Sequence, residues 1–184
     1  WKEYQTAETI RRELTSFGIP FSTVGETGTV AVLKGKQDRP VIGLRCDIDA
    51  LPITEMNEKP HKSQVDGQMH ACGHDSHIAM LLTAAKVLSE HRDELNCTVK
   101  FIFQPAEEIA RGVKSGAKDI LDSGLVDDLS TVCGMHIFPT IDSGLISVDE
   151  GPRFTSAAIL KIRIIGKSGH GAMPHFTIDP IYVA

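Results

Sequence analysis

The sequence predicts an α/β chain: a mixed, mostly parallel sheet flanked by helices, followed by the start of a smaller α+β domain. Three observations carry this. Apolar stretches of strand length alternate with stretches of helical periodicity. The chemistry-bearing residues fall just past the apolar strands, where open α/β sheets bind their ligands. Near Gly151-Pro152 the pattern changes to an apolar/polar alternation.

The elements follow in order. Ala7–Phe17 puts Ile10, Leu14 and Phe17 on one helical face, with Thr6 as N-cap and Gly18 and Pro20 as the stop. Thr29–Leu33 alternates as a strand. Val41–Ile48 is an apolar strand ending in Asp47 and Asp49. His77–Leu88 is a helix with Ile78, Leu81, Leu82, Ala85 and Leu88 toward the core. Thr98–Phe103 is a strand stopped by Pro105, which cannot donate to a ladder. Val113–Leu121 reads as a helix, Thr131–Ile137 as a buried strand and Leu145–Val148 as a further strand. In Ala157–Ile165, Leu160, Ile162 and Ile164 face one way and Lys161 and Arg163 the other, so one side should meet water in an antiparallel sheet. The expected domains are 1–152 and 153–184, the second unfinished. A chain running from Trp1 to Ala184 reads as cut at both ends.

The formal net charge of −5 over 184 residues argues against nucleic acid or an anionic membrane as partner, since both need clustered basic charge. The longest apolar runs are strand-sized, too short to span a bilayer. Trp1–Thr6 has no signal-peptide character, so the cytoplasm is the default location. No pair among Cys46, Cys72, Cys97 and Cys133 forms a C-x-x-C, and a reducing compartment is the simpler assumption. Cys46, Cys97 and Cys133 sit in apolar runs and read as small buried residues, whereas Cys72 has polar neighbours.

Four clusters carry chemistry: Cys46–Asp49, His70–His77, Gln104–Glu108 and Gly134–His136. The second packs three histidines, a cysteine and an aspartate into eight residues. In extended chain Cys72 and His74 point the same way, and a thiolate beside an imidazole suits a borderline-soft divalent ion. Asp75 or Ser76 can cap the helix that follows. Each residue alone fits a polar helix start; together with the other clusters they favour metal. Glu107 and Glu108 are delivered to a strand end by the apolar run Val99–Phe103, and two such carboxylates need positive charge nearby. Neighbouring side chains diverge, so one of the two should bind metal and the other hold the proton of an attacking water. A lone His136 reads as structural and gains weight only from the other clusters. Asp47 and Asp49 fit support for a histidine ligand, or loop capping. Gly166–Gly171 lacks the upstream glycine of a phosphate loop and reads as a turn presenting His170.

These residues together resemble the aminoacylase/carboxypeptidase group of two-metal peptidases. The resemblance is to the branch of hippurate hydrolases, N-acyl-L-amino acid amidohydrolases and auxin–amino acid conjugate hydrolases. The matching motifs are Leu44–Pro52, Met69–His77, Phe103–Glu108, Gly134–Pro139 and Gly166–His175 with Asp179-Pro180, in the family's order. The resemblance implies a zinc-peptidase-like fold followed by a lid/dimerisation domain. It implies metal ligands Cys72, His74, Glu108 and His136, and Glu107 as the catalytic acid/base. Asp47, Asp49 and Asp75 would support the ligands. His170 would bind substrate or stabilise the oxyanion, often across a homodimer formed through the lid. Two divalent ions per site (zinc, manganese or cobalt) and a small N-acyl amino acid substrate are implied as well. The family's last ligand, a histidine near the C-terminus of the catalytic domain, is not in this chain.

Two rival readings stand beside this one. In the first, Cys72 is the nucleophile of a cysteine hydrolase with a histidine as base, which leaves Glu107, Glu108 and His136 without a task. In the second, the chain is a non-catalytic metal-binding or dimerisation fragment of such an enzyme.

Overall fold

The computed structural model describes residues 1–109, 115–154 and 160–184. The chain divides into two compact units, Trp1–Ser147 and Val148–Ala184. The first contains α1 (Tyr4–Ser16), β1 (Phe21–Val24), β2 (Gly28–Lys34), β3 (Val41–Asp47), α2 (His74–Glu90), β4 (Thr98–Gln104), α3 (Gly116–Asp122) and β5 (Thr131–Gly134). Its sheet has the order β1-β2-β4-β3-β5. Strands β3, β4 and β5 run parallel, while β2 pairs antiparallel with both β1 and β4. The mixed α/β sheet with flanking helices is thus observed.

Central β4 shows how the layers arise. Successive side chains of a strand point to opposite faces. Val99, Phe101 and Phe103 pack on one face with Ile10 and Leu14 of α1 and Leu81 and Ala85 of α2. Ile102 points to the other face, among Val24, Val30, Ile120 and Val126. Phe101 and Phe103 are fully buried. Truncating either to Ala would cost about 3–5 kcal/mol, a large share of ordinary domain stability. Strand β4 is therefore held firmly, and so is the turn that leaves it at Gln104.

Helix α1 begins three residues earlier than expected, and Thr6 lies inside it rather than capping it. The first helical bond runs from Ala7 N–H to the Glu3 carbonyl. The Glu3 carboxylate is used elsewhere, accepting from Thr27 Oγ1 and from Ala106 N–H. Gly18 ends the helix at φ +67, and Ile19 N–H returns to the Leu14 carbonyl. Strand β1, absent from the sequence reading, pairs with β2 across a tight connection.

Helix α2 starts at His74, not His77, after Gly73 at φ +87. Cys72 and His74 are therefore joined by a left-handed turn and not by extended chain. Helix α3 covers Gly116–Asp122, capped by Ser115 Oγ accepting from Lys118 N–H; the start of the expected helix, at 113–114, lies outside the described residues.

Three expected strands are corrected. Strand β5 stops at Gly134, and all four of its residues are exposed. It sits at the sheet edge, bonded only to β3, so an apolar sequence there did not mean burial. Leu145–Val148 forms no strand and is exposed. Of Ala157–Ile165, residues 157–159 lie outside the described residues, and 160–165 pair with no strand among those described. Of the cysteines expected to be buried, Cys46 is, whereas Cys97 is half-buried and Cys133 exposed on β5. The second unit holds a Lys167–Ile178 bridge, a helical turn at Pro174–Phe176 and α4 (Pro180–Val183), capped by Asp179. No described helix is long and apolar enough to cross a membrane.

Candidate metal centre

The site of the first unit lies where β3, β4 and β5 end and α2 begins. Parallel neighbours put Asp47 of β3 beside Gln104 of β4. Asp47 and Asp49 are buried, at 2% and 6% exposure, so their charges must be answered by nearby groups. The Arg45 guanidinium answers the first: it bonds Asp47 Oδ2 at 2.8 Å and Gln104 Oε1 at 2.8 and 3.0 Å.

Histidine 74 is fully buried. Its Nδ1 lies 2.9 Å from the Asp49 carbonyl oxygen and 3.2 Å from Asp49 Oδ1. A carbonyl can only accept, so Nδ1 carries a proton, and in the neutral ring the lone pair is on Nε2. That Nε2 is buried and has no hydrogen-bond partner. It lies 3.7 Å from Asp47 Oδ1 and 3.9 Å from Glu108 Oε1. A lone pair aimed at carboxylates asks for a cation between them. Burial alone would pull the His74 pKa down; the Asp49 hydrogen bond and the charges of Asp47 and Asp49 outweigh it and raise it.

Around His74 the groups close in. Cys72 Sγ lies 3.4 Å from His136 Nε2, and one ligand atom each of Cys72, His74 and His136 lie within 4.8 Å of one another. Ligand atoms of His74, Glu107 and Glu108 satisfy the same limit. The structure thus brings together Cys72, His74, Glu107, Glu108 and His136, with Asp47 and Asp49 behind them. The two glutamates do not diverge as expected: both reach His74. The cause is Ala106, a non-glycine residue at φ +50 that bends the chain just before the pair. Glu108 N–H donates to Asp49 Oδ2 at 2.9 Å, which fixes the turn.

The electrostatics follow from this crowding. Burial, then the charges of Glu108 and Asp47, raise the Glu107 carboxyl. Burial, then Glu108 and the charges of Glu107 and Asp47, push the Cys72 thiol up to about 11. A nucleophilic cysteine needs the opposite shift, so without a cation the thiol is not activated here. A bound cation would reverse these shifts, because it pairs with carboxylates and takes the thiolate as ligand. The donor set of thiolate, imidazole and carboxylate, with an orphaned buried imidazole nitrogen at its centre, fits a divalent metal.

Asp75 lies outside the cluster, and His170 lies in the second unit. Asp75 is exposed and accepts from Ser76 N–H in the first turn of α2, outside the cluster. It suits the positive end of the helix, and the turn at Gly73 carries it away from the ligands. His170 belongs to the second unit, where its Nδ1 accepts from Ala172 N–H at 3.2 Å. Sequence reasoning missed Arg45 and His77. Asp47 Oδ1 bonds His77 Nδ1 at 2.6 Å, and His77 Nε2 accepts from Ile137 N–H at 3.1 Å. The signal was available: His77 lies one helical turn from His74, on the same face. Asp47, His74 and His77 also have ligand atoms within 4.8 Å of one another. Both His77 nitrogens are already bonded, however, so this trio offers no third free donor.

Comparison with known proteins matches residues 43–181 to the peptidase family M20/M25/M40. An N-acetylcysteine deacetylase of Bacillus subtilis (strain 168) is 46% identical over 100% of this chain and 48% of its own length. An N-acyl-L-amino acid amidohydrolase of Geobacillus stearothermophilus is 42% identical over 100% of this chain and 49% of its own. Among solved structures, a dinuclear metal-binding peptidase of the M20 family from Bacillus subtilis superposes with a TM-score of 0.76 at 47% identity. That alignment covers 83% of this chain and 42% of the other. The chain spans about half the length of the curated relatives it matches.

Proposed function

The chain belongs to the peptidase family M20/M25/M40, and we propose that it carries the metal-binding half of an amidohydrolase acting on N-acyl amino acids. The products would be a carboxylic acid and a free amino acid. The observation that carries the metal is the buried, unpartnered Nε2 of His74, ringed by Cys72, His136, Glu107 and Glu108. The substrate class rests on the relatives, one named for N-acetylcysteine and one for N-acyl-L-amino acids. A two-ion site rests on the dinuclear M20 peptidase to which the fold is similar.

Cys72, His74, Glu108 and His136 would hold the metal, with zinc favoured by the thiolate and imidazoles and manganese or cobalt admitted by the carboxylate. Divalent ions bound there would supply the Lewis acidity that acidifies a water and polarises an amide carbonyl. Glu107 would take the proton of the attacking water and pass it to the leaving nitrogen. Asp49 would hold the His74 ring, so that Nε2 faces inward. His170 would meet the substrate or the oxyanion from the second unit.

The test is release of free amino acid from N-acetyl and N-benzoyl amino acids by the whole protein. Activity that a chelator abolishes and added divalent metal restores supports the proposal. Hydrolysis that survives chelation would return the reading to Cys72 as nucleophile. No hydrolysis by a metal-loaded whole protein would leave a binding module.

A further inference from the structure

Histidine 77 is fully buried and does not fit the ligand set, because both its nitrogens are bonded within the protein. Ile137 N–H points at Nε2, which must therefore carry the lone pair. The proton is then on Nδ1, donated to Asp47 Oδ1 at 2.6 Å. Asp47 is anchored in turn by Arg45.

The partner of His77 is the main chain of the residue next to a candidate ligand. The main chain of Ile137 is held at both its N–H and its carbonyl. Its N–H goes to His77, and the Ile137 carbonyl accepts from His136 Nδ1 at 2.7 Å. With Nδ1–H so engaged, His136 turns its Nε2 toward Cys72 Sγ, 3.4 Å away. The His77 and His136 rings stack edge to face with centroids 4.7 Å apart. The Ile137 side chain lies over Gly73, where an added Cβ would sit 2.2 Å from its Cδ1. Residues 134–138 leave an exposed edge strand, and Met135, Ile137 and Phe138 keep 58%, 43% and 46% exposure. With one side open to solvent, directed hydrogen bonds help to place the segment.

We propose that His77 is a positioning residue of the metal centre: it binds no metal, and it sets His136 by holding the Ile137 peptide against Asp47. This rests on the proposed metal site. The relay runs Arg45, Asp47, His77, Ile137, His136, from the buried end of β3 to a ligand on the opposite wall. It joins two stretches of sequence that β3–β5 pairing alone leaves loose, since that pairing ends at Gly134.

Two substitutions separate the two bonds. His77→Asn keeps a donor near Nδ1 for Asp47 and loses the acceptor for Ile137. His77→Gln puts an amide oxygen near Nε2 for Ile137 and loses the donor to Asp47. Zinc affinity of the metal-free full chain is measured by calorimetry for each, beside urea unfolding. The expected result is a loss on the order of 10–100-fold for His77→Asn, and a smaller loss for His77→Gln, which keeps the bond to Ile137 without its anchor at Asp47. Equal affinities in the two variants, or a greater loss in His77→Gln, would overturn the proposal. Wild type that takes up no zinc would instead overturn the metal reading itself. Should neither variant fold, long-range nitrogen–proton NMR of wild type decides. A proton on Nδ1 of His77 supports the relay, and a proton on Nε2 contradicts it.

Discussion

Replacing Asp49 tests how the centre is held. Its carboxylate is 6% exposed and serves two donors: Glu108 N–H on Oδ2 at 2.9 Å and His74 Nδ1–H on Oδ1 at 3.2 Å. The His74 proton has a second acceptor, the Asp49 main-chain carbonyl at 2.9 Å, which no substitution removes. Asp49→Ala therefore orphans one donor fully and weakens the other. A hydrogen bond to a charged group is worth about 1.5–3 kcal/mol, and a buried unsatisfied donor costs about 1–3 kcal/mol. Some of that loss returns, because one of four crowded carboxylates is gone. The expected destabilisation of the metal-free protein is about 2–4 kcal/mol for Asp49→Ala. Asp49→Asn keeps an oxygen for Glu108 N–H but sets an NH2 against His74, and should cost about 1–2 kcal/mol. Both variants should lose metal affinity, by up to about 10-fold, because the ring of His74 is then held by the main-chain carbonyl alone. Urea unfolding gives the first quantity and zinc titration the second. Equal stabilities for Asn and Ala, or unchanged zinc affinity in both, would refute the assignment of Asp49 to His74 and Glu108.

Further outcomes follow from the same geometry. Glu107→Gln in the whole protein should keep its metal and lose turnover by roughly 10²–10⁴-fold; activity within a few-fold of wild type would remove Glu107 from proton transfer. Gly73→Ala and Gly18→Ala both force alanine into the left-handed region, at about 1–2 kcal/mol, but Gly18 has open space while Gly73 meets Ile137. Because Ile137 can swing aside, Gly73→Ala should be the less stable by only about 0.5–1.5 kcal/mol, yet it alone should weaken metal binding; equal zinc affinity would contradict the packing of Ile137 on Gly73. For pH, burial alone would raise Asp47 and Asp49, but hydrogen bonds from His77 and His74 hold both below the ordinary carboxylate range. The unfolded chain then takes up protons first on acidification, so their contribution is full at neutral pH and drains below roughly pH 4. Asp49→Asn should flatten this acid limb in urea midpoints of the metal-free protein; an unchanged limb would mean Asp49 does not carry it.

Periodicity made α1, α2, β3 and β4 legible because their apolar faces are set by local spacing. Strand β1 was not, since Phe21–Val24 is short, partly exposed and held by its hairpin with β2. Thr131–Ile137 misled because an apolar run does not distinguish a buried strand from an exposed edge. The residues of the centre could be found from their chemistry: a thiol, imidazoles and carboxylates at strand ends have few joint uses. Their relations could not. The convergence of Glu107 and Glu108 depends on the left-handed Ala106, and alanine gives no sign of it. The task of His77 depends on a main-chain N–H that lies 60 residues away in sequence. Asp75 sits among the ligands in sequence, but the turn at Gly73 sends it to solvent.

The proposed function stands on Cys72, His74, Glu108 and His136 holding a divalent metal. Metal content of the purified protein by elemental analysis, beside Cys72→Ala and His74→Ala, tests it most directly. Bound zinc, manganese or cobalt is expected in wild type, with a clear loss in both folded variants. A folded wild type without divalent metal after incubation with all three ions, or metal retained in full by both variants, would contradict it.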